Sequence, residues 1–187
     1  GPGMIDPVRA RRIKLLGLDV DGVLTDNGLW IGTVGGARVE FKRFDAQDGL
    51  GFALLRNAGL EVCWVSGRVS DSTAERAKEL KITELVQDRG ANKLVPVQEI
   101  LTRKGLGWDE LAWVGDDIAD LPVFRKVGLA IATDNAVPEA KALAHHVTAR
   151  PGGYGAVREV IVDLLTARGE YDAALRRYLE ERGDHPL

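Results

Sequence analysis

The side chains best suited to chemistry are acids, and they fall in two groups. In Asp19-Val20-Asp21-Gly22-Val23-Leu24-Thr25, two carboxylates stand at i and i+2 where an apolar run beginning at Ile13 ends. If that run is a buried strand, both acids lie at its carboxyl end, where open α/β sheets bind ligands. Such a pair is costly unless a divalent cation offsets the repulsion; the plainer alternative is a turn with solvated or capping aspartates. The pattern returns in Gly115-Asp116-Asp117, behind the apolar Leu111-Ala112-Trp113-Val114, with Asp120 a turn further on. Two strands delivering acids to one edge are hard to explain as capping. A hard, oxygen-rich site with open positions suits magnesium, which binds through one or two carboxylates plus substrate phosphate.

Two donors extend this set. Ser66 ends the apolar stretch 60–65 in Ser66-Gly67-Arg68, and Lys93 stands in Ala91-Asn92-Lys93-Leu94. Taken singly, they read as a helix cap and a solvated charge. Taken together, a hydroxyl, backbone N–H groups at a helix start and an ammonium are the donors that hold a phosphoryl group.

The elements that must position these residues alternate along the chain. Apolar runs at 13–19, 60–65, 84–87, 111–115 and 128–131 are continuous rather than alternating, as in strands buried on both faces of a parallel sheet. Amphipathic stretches at 47–57, 70–80, 91–103 and 118–126 predict the intervening helices, with Pro122 tolerable only in a first turn. The fold class is therefore α/β, a doubly wound Rossmann-like parallel sheet. Residues 28–44 break the pattern: apolar residues around Gly35-Gly36 predict a projecting β-hairpin flap. A short helix near Pro138, a weak strand at 145–147 and helices at 156–167 and 171–181 complete the expectation. The domain reading is a remnant and arm at 1–12, one domain at 13–168 and a helical tail at 169–187. Gly1-Pro2-Gly3 before Met4 reads as a tag-cleavage scar.

Composition sets limits. The 187 residues, 45% hydrophobic, suffice for one substantial core, and a net charge of -3 without a long basic block lacks the footprint of a nucleic-acid binder. No apolar run approaches the roughly 18 residues of a membrane span, and the start lacks a signal-peptide layout, so a soluble cytoplasmic protein is expected. The single Cys63 reads as a small buried hydrophobe.

In this order the acids, the serine, the lysine and the distal acids resemble the motifs of the haloacid dehalogenase superfamily. The resemblance implies a phosphatase in which Asp19 is a transiently phosphorylated nucleophile and Asp21 the general acid, then base. Ser66 and Lys93 would bind the phosphoryl group. Magnesium would be held by the Asp19 carboxylate, the Asp21 backbone carbonyl and Asp116, with Asp117 and Asp120 orienting Lys93 or metal-bound water. The chemistry is coherent, because a carboxylate attacks phosphorus only when charge on both is neutralised.

Caps that set specificity in this superfamily have no room between Asp21 and Ser66 or between Ser66 and Lys93, so the chain is read as capless. Within that subgroup, residues 13–163 resemble the 3-deoxy-D-manno-octulosonate 8-phosphate phosphatases, through residues 19–25, 44–51 and 115–123 and Gly152-Gly153-Tyr154-Gly155-Ala156-Val157-Arg158-Glu159. The family implies a homotetramer packed through its hairpins, with the glycine-rich segment closing a neighbour's site. It also implies an acidic sugar phosphate as substrate, in lipopolysaccharide precursor synthesis. Substrate contacts are expected from Gly67, Arg68, Gly153 and Arg158. Arg68 suits a carboxylate or phosphate bidentately, or else forms a surface ion pair. Arg89-Gly90-Ala91-Asn92 departs from the glutamine- or serine-rich approach to the lysine usual in the family. The alternatives are a 2-keto-3-deoxynononate 9-phosphate phosphatase and a non-catalytic oligomerisation module of sialic-acid-activating enzymes; the latter predicts damaged acids or a fused synthetase domain. His145 and His146 are not assigned to metal, since magnesium needs no histidine.

Overall fold

The computed structural model describes residues 4–90 and 92–185; Gly1-Pro2-Gly3, expected to be a scar, Ala91, the expected start of the fourth helix, and the last two residues of the expected tail lie outside them. In chain order the elements are α1 (Pro7–Arg12), β1 (Leu15–Leu18), β2 (Trp30–Val34), β3 (Ala37–Phe41), α2 (Ala46–Asn57), β4 (Glu61–Ser66), α3 (Asp71–Glu79) and β5 (Leu85–Gln87). They continue with α4 (Leu94–Lys104), β6 (Leu111–Gly115), α5 (Leu121–Phe124), β7 (Leu129–Ala132), α6 (Pro138–Leu143), β8 (His146–Val147), α7 (Ala156–Ala167) and α8 (Tyr171–Glu180). Six strands form one parallel sheet in the order β5-β4-β1-β6-β7-β8, and β2 and β3 form a separate antiparallel hairpin.

The continuous hydrophobicity of the strands follows from layers on both sheet faces. Leu16 and Leu18 enter one core with Phe52 and Leu55 of α2 and Val160 and Ile161 of α7. Leu15 enters the other with Cys63, Trp113 and Val97, Ile100 and Leu101 of α4. Gly17 is a packing requirement: a Cβ there would lie 2.5 Å from the Trp113 ring. Cys63 is fully buried, and burial pushes its thiol up to about 12, as an inert hydrophobe requires.

The hairpin turns at Gly35-Gly36, whose φ values of 57° and 79° are the paired positive angles of a tight two-residue connection. Its register pairs Trp30 with Phe41, Gly32 with Val39 and Val34 with Ala37, so one face is wholly apolar.

Both termini pack against the domain, and two of the expected helices are corrected. The N-terminal arm holds α1, capped by Asp6 and starting with a proline, and Ile5 and Ala10 are buried in the core. Arg168 donates to the carbonyls of Ala10 and Ile13, tying this start to the end of α7. The tail is likewise docked, with Ala174 buried and its carbonyl accepting from Asn57. The helix expected at 118–126 breaks into a 3-10 turn, Ile118–Asp120, and the single-turn α5, with Pro122 in that first turn. The fourth helix starts at Leu94 with Lys93 at its cap position.

Candidate active site

Parallel pairing assembles the acids. Leu18 is in register with Trp64 on one side and Val114 on the other, and Asp19 N–H donates to the Val114 carbonyl at 3.0 Å. The strands therefore deliver Asp19, Ser66 and Asp116 to one edge, at the point where the strand order reverses about β1. All three are buried.

Asp19 is held on both oxygens: Oδ1 accepts from Val20 N at 2.7 Å, and Lys93 Nζ lies 3.1 Å from Oδ2. Lys93, itself buried, also donates to Asp120 Oδ1 at 2.7 Å. The Asp116 carboxylate lies over Gly22, where a Cβ would come within 1.9 Å of Oδ2; φ there is +84°, so glycine is needed twice over. The turn closes on Thr25, whose hydroxyl accepts from Gly22 and Asn27.

Asp19, Asp116 and Asp120 approach within 4.8 Å of one another, but their roles differ. Asp120 has no accessible surface, and its oxygens are fully used: Oδ1 by Lys93 and Trp113 Nε1, Oδ2 by the N–H groups of Asp116 and Asp117. It thus contacts Lys93 and has no oxygen left over for a cation. Asp117 does not join it. Its Oδ1 caps the 3-10 turn through Ile118 N at 2.7 Å and the residue is exposed, because one residue's offset turns it away from the strand edge.

Three carboxyls against one ammonium leave an excess of buried negative charge. Burial and the Asp120 charge push Asp19 up to about 7 against the pull of Lys93. Burial and both neighbouring acids push Asp116 up to about 9. Although burial disfavours its charge, Lys93 is held above its ordinary value by Asp19 and Asp120. Asp19 and Asp116 are the carboxylates left for a cation, and the Asp21 carbonyl accepts no backbone hydrogen bond among the described residues. This hard donor set, short of positive charge, fits magnesium.

The other expected residues are distributed unevenly. Ser66 does not cap α3, which Ser70 does; its hydroxyl instead accepts from Arg68 N in the turn at Gly67. Arg68 pairs with Glu40 of β3 at 3.0 Å, the ion-pair alternative, and lines an open cleft of about 970 Å³ between β3 and the 67–72 turn, with Arg38, Phe41, Ser72 and Arg89. Gly153 lies against the site's own turn, a Cβ being 2.3 Å from Asp26 N, while Arg43 hydrogen-bonds its carbonyl. Arg158 is anchored to α2: its guanidinium donates to the Gln47 carbonyl and its backbone N–H to Asp48 Oδ1. The glycine-rich segment is thus no loose strip. Gly152 hydrogen-bonds Asn135, which in turn donates to the Gly22 carbonyl, and α7 behind it is a core helix.

Lys42 was not picked out from the sequence. Its side chain is fully buried, with Nζ 2.9 Å from Asp21 Oδ1. A second group of possible ligands, His146, Glu159 and Asp163, is weaker, because both Glu159 oxygens already accept backbone N–H groups of Ala149 and Arg150.

Comparison with known proteins gives this geometry a setting. Residues 68–161 match the model of the haloacid dehalogenase-like hydrolases. The chain is 39% identical to the 3-deoxy-D-manno-octulosonate 8-phosphate phosphatase KdsC of Escherichia coli K12, over 93% of this chain and 91% of that protein. A crystal structure of the phosphatase of that name from Moraxella catarrhalis, in complex with a magnesium ion, a phosphate ion and a KDO molecule, superposes with a TM-score of 0.86 at 34% identity, covering 92% of this chain and 97% of that one. The Yersinia pestis phosphatase gives 0.84 at 37% identity, covering 89% and 88%. With the acids, the lysine and the capless sheet in the arrangement described, the chain belongs to the haloacid dehalogenase-like hydrolases, in the family of the 3-deoxy-D-manno-octulosonate 8-phosphate phosphatases.

Proposed function

We propose that the protein hydrolyses the phosphate monoester of 3-deoxy-D-manno-octulosonate 8-phosphate through a phosphorylated Asp19. The observation that carries this reading is the setting of Asp19: buried at the end of the central strand, one oxygen on a backbone N–H and the other beside Lys93. An Asp19 oxygen bonds to phosphorus as the bond from phosphorus to the sugar oxygen breaks, and that oxygen takes a proton from Asp21. Asp21 then accepts a proton from water, whose oxygen bonds to phosphorus as the Asp19–phosphorus bond breaks and phosphate leaves. Ser66 and Lys93 hold the phosphoryl oxygens throughout.

Asp19, Asp116 and the Asp21 carbonyl are the groups that would hold magnesium. Bound there, the ion would neutralise the attacking carboxylate and the phosphoryl charge together. The relative that binds magnesium, phosphate and KDO supports this cofactor and substrate class. The hairpin's apolar face supports assembly as a homotetramer, which would cover a site that has no cap.

The test is phosphate release from a panel of phosphorylated sugar acids, 2-keto-3-deoxynononate 9-phosphate among them, with magnesium and with chelator. The octulosonate ester should be preferred, and chelator should abolish turnover. Asp19→Asn should lose turnover by at least about 10⁴-fold, as expected for a covalent nucleophile, while remaining folded by circular dichroism. Near-normal activity in that variant would reject the phospho-aspartate route, and no turnover of any ester would favour a non-catalytic module.

A further inference from the structure

The root of the flap carries a lysine that the steps above do not use. Lys42 follows β3 directly, and its stem and ammonium have no accessible surface. A lysine is almost never buried so completely unless paired, because its charge must be compensated. Here the compensation is specific: Nζ lies 2.9 Å from Asp21 Oδ1 and donates to Thr73 Oγ1 of α3 at 3.1 Å. Arg43 turns the opposite way, stacking over Tyr154 at 4.2 Å and bonding the Gly153 carbonyl. Consecutive cations thus clamp the flap to two places, the Asp21 carboxylate and the glycine-rich segment.

Asp21 depends on this contact. Its Oδ1 is buried and accepts no hydrogen bond of good geometry, so the nearby ammonium is its compensation. The side chain as a whole keeps 13% exposure, so with Oδ1 buried Oδ2 is the oxygen left for the reacting atoms. A carboxyl group in a turn has free rotation about its last bond; fixing one oxygen selects which oxygen meets the reacting atoms, and misplacement by about 1 Å can cost roughly 10²-fold in rate.

We infer that Lys42 is a positioning residue: by holding Asp21 Oδ1 it aims Oδ2 at the leaving sugar oxygen and later at the attacking water, so that proton transfer requires the flap to be seated on α3. This deepens the proposed phosphatase reading and rests on it. Lys42 does not touch phosphorus, and its loss therefore impairs proton delivery rather than phosphoryl binding. A lysine that only stabilised the fold would affect every substrate alike.

Leaving-group dependence separates these cases, because kcat/KM for a phosphomonoester reports steps up to departure of the leaving group. An alkyl sugar phosphate needs a proton on its departing oxygen; para-nitrophenyl phosphate, which releases a stable phenolate, does not. Lys42→Met should lower kcat/KM on the sugar phosphate by about 10²-fold, the lower end of a general-acid contribution, and on the aryl ester by less than about fivefold. Thr73→Val, which removes only the brace on Nζ, should give the same asymmetry in weaker form, and carries the test if Lys42→Met melts below the assay temperature. Parallel losses on both esters, or no loss in a folded Lys42→Met protein, overturn the positioning role while leaving the phosphatase reading intact. A wild-type protein that turns over neither ester with magnesium removes both.

Discussion

Asp19, Asp116 and Asp120 share a buried space with the single ammonium of Lys93, and that imbalance links the fold to pH. Asp19 at about 7 and Asp116 at about 9 stand above the roughly 3.9 of an unfolded aspartate. Between those values the folded chain binds more protons than the unfolded one, so raising the pH should destabilise the metal-free protein. In chelator, the melting temperature should fall steadily from pH 5 to pH 9; in millimolar magnesium the slope should flatten, because the cation replaces the protons. A rise in melting temperature with pH in chelator, or indifference to magnesium, would contradict this assignment of the acids. Asp19 and Asp116 were legible in the sequence because each ends an apolar run, and a strand end has only one place to be in a parallel sheet. Lys42 was not legible: it follows an exposed ribbon and has the local context of a solvated charge. Nor did the sequence distinguish Asp117 from Asp120, since which acid turns inward depends on the 3-10 turn between them.

At the scale of elements, α2 and α7 meet through a buried acid. Asp48 on α2 accepts the N–H of Arg158 in the first turn of α7, while its other oxygen is buried without a partner. Burial pushes Asp48 up to about 6 despite that hydrogen bond, so its ionised form is a liability at neutral pH. Asp48→Asn keeps the acceptor and removes the charge. It should stabilise the protein at pH 7 to 8 by up to about 3 kcal/mol, the cost of a two-unit shift, and the advantage should vanish below about pH 4, where the wild-type carboxyl is protonated in both states. Urea unfolding at both pH values measures this, and a destabilised variant at pH 7.5 would mean that the charge at the helix start outweighs its burial. The principal strands could be read from their unbroken hydrophobicity. The first helix could not, because its six residues are polar on most sides and only Ala10 reaches the core.

At the scale of the whole molecule, the flap presents an unsatisfied apolar surface. On the flap, Trp30, Val34 and Phe41 lie on one face with exposures of 71%, 66% and 61%, while Glu40 on the other face meets Arg68. A two-stranded ribbon is marginal by itself in water, and this one turns its greasy side outward, which supports burial against other copies. Trp30→Ser combined with Phe41→Ser should convert an oligomer into monomers by light scattering without lowering the melting temperature of the single chain; a monomeric wild type would discard the tetramer. The Gly35-Gly36 turn signal among apolar residues made the flap visible in the sequence, whereas the seating of its root on Asp21 and Gly153 joins residues too far apart to be read from spacing. The central place of β1 has a further consequence, for the order of folding. Its acids acquire their partners only after β4 and β6, from distant parts of the chain, have docked on either side, and such long loops must close before their contacts repay the entropy. The indoles of Trp64 and Trp113, one contributed by each of those neighbours, are sealed as this happens. A refolding chain should therefore bury Trp64 and Trp113 no later than it regains turnover, and a chain still emerging from the ribosome without β6 has no site to poison with the wrong metal.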